Sequence, residues 1–113
     1  MRAKNSDFRH DRFLHEVLFA EEAPAIAQIN YIHVRSDGQH CMPHVHQDVT
    51  ETFVCLEGFV RLIVNGEHKE LREKDVFSVL PGQVHELLAV SQSRYLELRD
   101  RVFDAAALDK AFV

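Results

Sequence analysis

Along this chain, short apolar runs alternate with polar turns, and none of the runs is long. Residues 13–20 read as a strand, ended by Glu21-Glu22 and Pro24. Residues 26–35 (IAQINYIHVR) alternate and are rich in Ile, Val and Tyr, which fit a pleated, half-buried surface. Ser36-Asp37-Gly38 then turns the chain. Residues 51–56 and 59–64 form two runs around Glu57-Gly58. Asn65-Gly66 is a strong hairpin signal, because both positions accept the positive φ of a tight turn, and it predicts pairing of 59–64 with 67–71. Residues 76–80 are closed by Pro81-Gly82, and 85–90 and 94–99 flank Ser91-Gln92-Ser93. At the end, Asp104 can cap a short helix with Leu108, Ala111 and Phe112 on one face. Evenly spaced short strands predict an all-β sandwich or barrel with a short C-terminal helix, formed by residues 1–113 as one domain.

Strand alternation also assigns faces. If Glu57-Gly58 is a two-residue hairpin loop, Glu51, Phe53 and Cys55 share one face with Val60, Leu62 and Val64. Thr52, Val54 and Leu56 share the other with Phe59, Arg61 and Ile63. Both faces then carry apolar groups, so the outer one needs cover. The N-terminal strands could supply it, but a homodimer is the favoured expectation.

Composition narrows the function classes. The chain is 46% hydrophobic and 27% charged, an ordinary globular balance, and its net charge is −5. Lys and Arg are scattered, with no basic block, which argues against nucleic acid as a partner. No run approaches the roughly 18 apolar residues of a membrane span, and MRAKNSDFRHDRF lacks the apolar segment of a signal peptide. No membrane partner is expected, and a cytoplasmic location is the default. Cys41 and Cys55 are too few for a disulfide framework and are read as reduced.

Histidine is the anomaly, with eight in 113 residues. His44 and His46 are two apart, so on an extended segment they point the same way, roughly 6.6 Å apart. Glu51 opens the next strand after a short loop, and a carboxylate there can join them. His85 directly follows the turn at Pro81-Gly82 and starts a strand, which suits a fourth ligand. Three imidazoles and one carboxylate suit a divalent transition metal (Fe, Mn, Zn, Ni, Co or Cu) rather than Ca or Mg. His10, His15 and His68 read as solvent-facing, and His33 as a half-buried strand residue. His40 reads as a loop histidine or, less simply, a pocket residue.

These residues resemble the cupin superfamily. Gly38, QHCMP, His44-Val45-His46, QDVT, Glu51, TFVCLE and Gly58 meet every fixed position of the first cupin motif. The second motif keeps its core in Gly82, Gln83-Val84 and His85. It departs elsewhere: Lys74 stands for a glycine, Leu80 for a proline and Ala89 for an asparagine. The resemblance implies a small metal-binding cupin, a double-stranded β-helix or jelly-roll barrel with the ion inside.

Four protein ligands on a six-coordinate ion leave room for a small organic molecule to chelate, as in a catalytic site. Register lines the pocket with Phe53, Cys55, Leu62 and Leu87, with Met42, His40 and Tyr95 as further candidates. No general base or nucleophile is evident beyond the metal. The favoured expectation is therefore an enzyme performing dioxygenase-like oxidation, since a redox metal in an apolar pocket needs little help from side chains. The alternatives are a metal-dependent isomerase or lyase and a non-catalytic cupin that binds a sugar or an acid. A metal-free sugar-nucleotide epimerase is disfavoured by the complete ligand set and by the outward register of Arg61.

Overall fold

In the computed structural model the backbone is described for residues 6–10, 13–17, 26–34, 40–102 and 110–112, and side chains for 26–34, 41–102 and 111. The strands are β1 (Ser6–His10), β2 (Phe13–Val17), β3 (Gln28–Val34), β4 (His40–His46), β5 (Glu51–Glu57) and β6 (Phe59–Val64), followed by β7 (Glu67–Arg72), β8 (Val76–Val79), β9 (His85–Ala89), β10 (Ser93–Arg99) and β11 (Lys110–Phe112). A four-stranded sheet runs β3-β10-β5-β8, and a five-stranded sheet runs β11-β4-β9-β6-β7. β1 and β2 pair with each other, and every pairing is antiparallel. Among the described residues there is no helix. None is therefore long and apolar enough to cross a membrane.

The core lies between the two larger sheets. Val34, Phe53, Cys55, Val79 and Tyr95 from one sheet meet Val60, Leu62, Val64, Leu71, Leu87 and Ala89 from the other. Leu62 is fully buried, and burial of such a side chain stabilises the fold by about 1.5–3 kcal/mol. The expected faces are therefore present: Glu51, Phe53 and Cys55 point inward, as do Val60, Leu62 and Val64.

The expected pairing of those two runs is not. β5 bonds to β10 and β8, and β6 bonds to β7 and β9. Gly58 does not close a hairpin; it carries the chain from one sheet to the other. Its φ is +89°, in the left-handed region, and a Cβ there would lie 2.4 Å from the Gln92 carbonyl oxygen and 2.5 Å from Ser93 Oγ. Close approach of Gln92-Ser93 and positive φ both require glycine. Ser93 is fully buried, and its Oγ accepts the Phe59 N–H at 3.1 Å, which ties the crossover to the start of β10.

The Asn65-Gly66 turn forms as expected, with φ of 48° and 82°, and joins β6 to β7. Lys74, where the motif has a glycine, adopts φ 72°. That turn persists because Asp75 Oδ2 accepts the Arg72 N–H at 2.9 Å and the Lys74 N–H reaches the Cys55 carbonyl at 2.8 Å.

The expected C-terminal helix is corrected in part. Residues 110–112 form β11, in register with β4 through Lys110–His46, Ala111–Val45 and Phe112–His44. The rest of that helix lies outside the described residues. For Ala111, the gain from pairing along the β4 edge outweighs its helix propensity.

Candidate metal centre

β4, β5, β9 and β10 bring the site residues to one end of the barrel. His44 and His46 alternate on β4 and both point inward, 5% exposed each. Residues 47–50 then cross to β5, where Glu51 is 3% exposed. β9 pairs with β4 so that His85 sits opposite His44. The gap between Gly82 and β4 closes through the Gly82 N–H, which donates to the His46 carbonyl at 2.8 Å. One ligand atom from each of His44, His46, Glu51 and His85 lies within 4.8 Å of the others. Donor atoms sharing one ion about 2.1 Å away sit roughly 3.0 to 4.2 Å apart, so a small contraction would seat a metal.

The hydrogen bonds around the rings give the same fit. His44 Nδ1 is 2.8 Å from the Met42 carbonyl oxygen, and His85 Nδ1 is 3.3 Å from that of Gln83. A carbonyl only accepts, so both Nδ1 atoms carry the proton, which leaves each Nε2 lone pair for an ion. Yet His85 Nε2 lies 3.1 Å from Glu51 Oε1, and His46 Nε2 lies 3.0 Å from the same oxygen. A carboxylate oxygen only accepts as well. A shared cation satisfies all of these atoms at once, and the donor set is that of a divalent transition metal.

Glu51 is also held from behind. Arg99 Nη1 donates to Glu51 Oε2 at 2.8 Å, and Arg99 is 6% exposed. Burial alone would raise the Glu51 carboxyl; the close approach of the His46 and His85 rings overcomes it and holds that group well below the usual carboxylate range. Glu97, two residues before Arg99 on the same inward face, shares a hydrogen bond with Glu51 and is pushed up to about 7, by burial first and then by the Glu51 charge. Its Oε1 accepts from Asn30 Nδ2 at 3.2 Å and lies 3.7 Å from Arg99 Nη1.

The other expected pocket residues sit as follows. The Phe53 ring is 6.4 Å from His85 and 6.0 Å from Tyr95, centroid to centroid. Burial raises the Tyr95 hydroxyl well above the usual phenol range. Cys55 is opposite Tyr95 and Leu62 opposite Leu87 in register, all four buried. Met42 is 59% exposed and contributes its carbonyl rather than its side chain. His40 begins β4, and its side chain lies outside the described residues. Cys55 is buried, and its thiol is raised above its ordinary value chiefly by burial. Cys41 is exposed, with Sγ 3.7 Å from His44 Nδ1.

Sequence reasoning missed Glu97 and the ion pair of Arg99 with Glu51. The signal was present: alternation from Tyr95 turns both residues inward, and an acid and an arginine at inward positions mark a polar site.

A family model described as a cupin domain matches residues 31–98. No curated protein gives a significant sequence match. Among solved structures, a TDP-fucose-3,4-ketoisomerase from Campylobacter jejuni aligns with TM-score 0.80 at 13% identity, covering 100% of this chain and 88% of that one. A dTDP-4-dehydrorhamnose 3,5-epimerase from Elizabethkingia anophelis aligns with TM-score 0.78 at 18% identity, covering 99% and 73%. A salicylate 1,2-dioxygenase from Pseudaminobacter salicylatoxidans aligns with TM-score 0.59 at 22% identity, covering 64% of this chain and 20% of that one. At these identities the likeness is one of fold.

Proposed function

The chain belongs to the cupin family, and on that premise we propose that it is a metal-dependent enzyme in which a small organic molecule chelates an ion held by His44, His46, Glu51 and His85. Proton-transfer chemistry of the isomerase or lyase type is the reading we favour. The observation that carries it is the convergence of four buried ligand atoms beside a further, half-buried carboxyl, Glu97. An ion bound there would supply Lewis acidity toward a chelated oxygen.

The chain's own residues divide the remaining work. The carbonyls of Met42 and Gln83 orient His44 and His85, and Arg99 holds Glu51 Oε2 so that Oε1 faces the imidazoles. Phe53, Tyr95 and Leu87 exclude water around the rings. Glu97, its carboxyl pushed up to about 7 beside Glu51, is placed to take up or release a proton at the edge of the cluster. Isomerisation and elimination need such a group, and its absence from the sequence reading was what tilted expectation toward oxidation.

Dioxygenase-like oxidation is the second reading, favoured by the apolar Phe53, Leu62 and Leu87 near the ligands. The two separate in deuterated water. We expect the zinc- or manganese-loaded protein, given a panel of hydroxy acids, keto acids and sugars, to convert a substrate with solvent deuterium incorporated and no oxygen consumed. Oxygen uptake stoichiometric with substrate loss in the iron-loaded protein would instead establish oxidation. Ligand binding without turnover of any panel member would leave a non-catalytic binding cupin.

Ile29 and Tyr31 are 59% and 57% exposed on β3, an edge strand of the four-stranded sheet. They support a homodimer, which we also propose. Sedimentation showing only monomer at micromolar concentration would rule it out.

A further inference from the structure

We propose that the chain carries a second small-molecule site, between the free edges of β7 and β8, that takes an uncharged aromatic compound bearing acceptor oxygens. The site shares no ligand residue with the metal centre and does not rest on the metal-dependent reading.

The space comes from the topology. β7 ends the five-stranded sheet and β8 ends the four-stranded one, and no ladder joins them among the described residues. A cavity of about 750 Å³ lies along these two edges, within the range of roughly 300–1,000 Å³ typical of small-ligand pockets. None of His44, His46, Glu51 or His85 lines it. Its floor is apolar. Val64 and Leu71 belong to the core, and the half-buried Phe77 packs against that core. Such a floor favours apolar surface, and an exposed aromatic face or edge favours a ring beside it.

The rim is made of oriented donors. Asn65 and Gln83 both line the cavity. Asn65 Oδ1 accepts the Val84 N–H at 3.0 Å, and Gln83 Oε1 accepts the Leu80 N–H at 2.8 Å. A backbone N–H only donates, so each amide is turned with its oxygen toward the backbone and its NH2 group is left to donate elsewhere. No protein acceptor among the described residues takes either NH2 group. Two amide donors whose oxygens are engaged select a ligand by its acceptor oxygens.

Charge argues for an uncharged ligand. Lys69 Nζ lies 3.3 Å from Glu67 Oε2, and Glu70 Oε1 lies 3.8 Å from Arg61 Nη2. The cation and both carboxylates that line the cavity are therefore already paired. The Lys69 ammonium also lies 5.9 Å from the centre of the Phe77 ring. An anion would meet Glu67 and Glu70 as well as Lys69, and would have to displace a carboxylate to gain the ammonium.

The test follows 15N-labelled backbone spectra of the full chain, both zinc-loaded and chelator-stripped. The probes are coumarin, an uncharged aromatic lactone, and coumarin-3-carboxylate, its anionic analogue. Coumarin should bind saturably, more tightly than the anion, and perturb Val64, Leu71, Phe77 and Gln83 most. Gln83→Glu keeps the oxygen that accepts from Leu80 but loses the NH2 group, and should weaken coumarin about fivefold. Phe77→Leu keeps the apolar floor but loses the ring, and should weaken it about as much. Absence of saturable binding, perturbation centred on His44, His46 and His85, or an anion bound as tightly as coumarin would overturn the proposal; these results come from the unaltered chain and need no variant to fold. Coumarin affinity within about twofold of the unaltered protein in either folded variant would overturn it too. A chain that binds no zinc would end the metal reading and leave this site to be decided by the stripped spectra.

Discussion

Replacing both His44 and His46 by alanine is expected to abolish transition-metal binding, lowering affinity by at least about a thousandfold. The rings sit on one strand, their centroids 5.0 Å apart, and together supply half of the ligand set. Loss of an orienting group alone typically costs 10- to 100-fold in metal affinity, and here two donors go at once. What remains, Glu51 and His85, is a pair that no longer surrounds an ion. Competition against a chelator of known affinity measures the loss. The fold should survive in the metal-free state, because the hydrophobic cluster from Val34 to Tyr95 does not include either histidine.

Glu51→Leu should destabilise even the metal-free protein, by about 3 kcal/mol. The carboxylate neutralises Arg99 at 2.8 Å, with both side chains buried. Removing one partner of a buried pair commonly costs about 3–5 kcal/mol, since the other charge stays in a poorly solvated place. We expect the lower end, because Glu97 lies 3.7 Å from the same Nη1 and can ionise once the Glu51 charge is gone. The double change Glu51→Leu, Glu97→Leu removes that compensation and should cost more than the two single changes added together. Urea unfolding in the presence of a chelator reads all three.

Faces were legible in this sequence and partners were not. Alternation along residues 51–57 and 59–64 identifies the inward residues correctly, because side-chain direction has a period of two whatever the strand pairs with. It says nothing about which strand lies alongside. Glu57-Gly58 therefore looked like a hairpin, while the glycine is there for the close approach of Gln92 and Ser93 from β10. The Asn65-Gly66 hairpin was readable because its signal is local. The alanines near the C-terminus suggested helix, but residues 110–112 complete the edge of β4, a tertiary gain that propensity does not carry.

The site divides in the same way. The convergence of His44, His46, Glu51 and His85 was readable from spacing, because His44 and His46 alternate toward the end of one strand while Glu51 and His85 each open another. Glu97 and Arg99 were not, because a charged residue late in a strand reads as a solvated end. Their inward direction becomes informative only once β10 is seen to lie between β3 and β5, with Arg99 opposite Glu51. That placement turned a site with no evident proton carrier into one with a carboxyl hydrogen-bonded to a ligand.

Titration of the unaltered, chelator-stripped chain with cobalt or zinc, followed by metal analysis, is the most direct test of the account. Saturation at one ion per chain, with the ion displaced on acidification as the imidazoles take up protons, is the predicted result. Absence of saturable binding, or equal binding by the His44→Ala, His46→Ala chain, would contradict it.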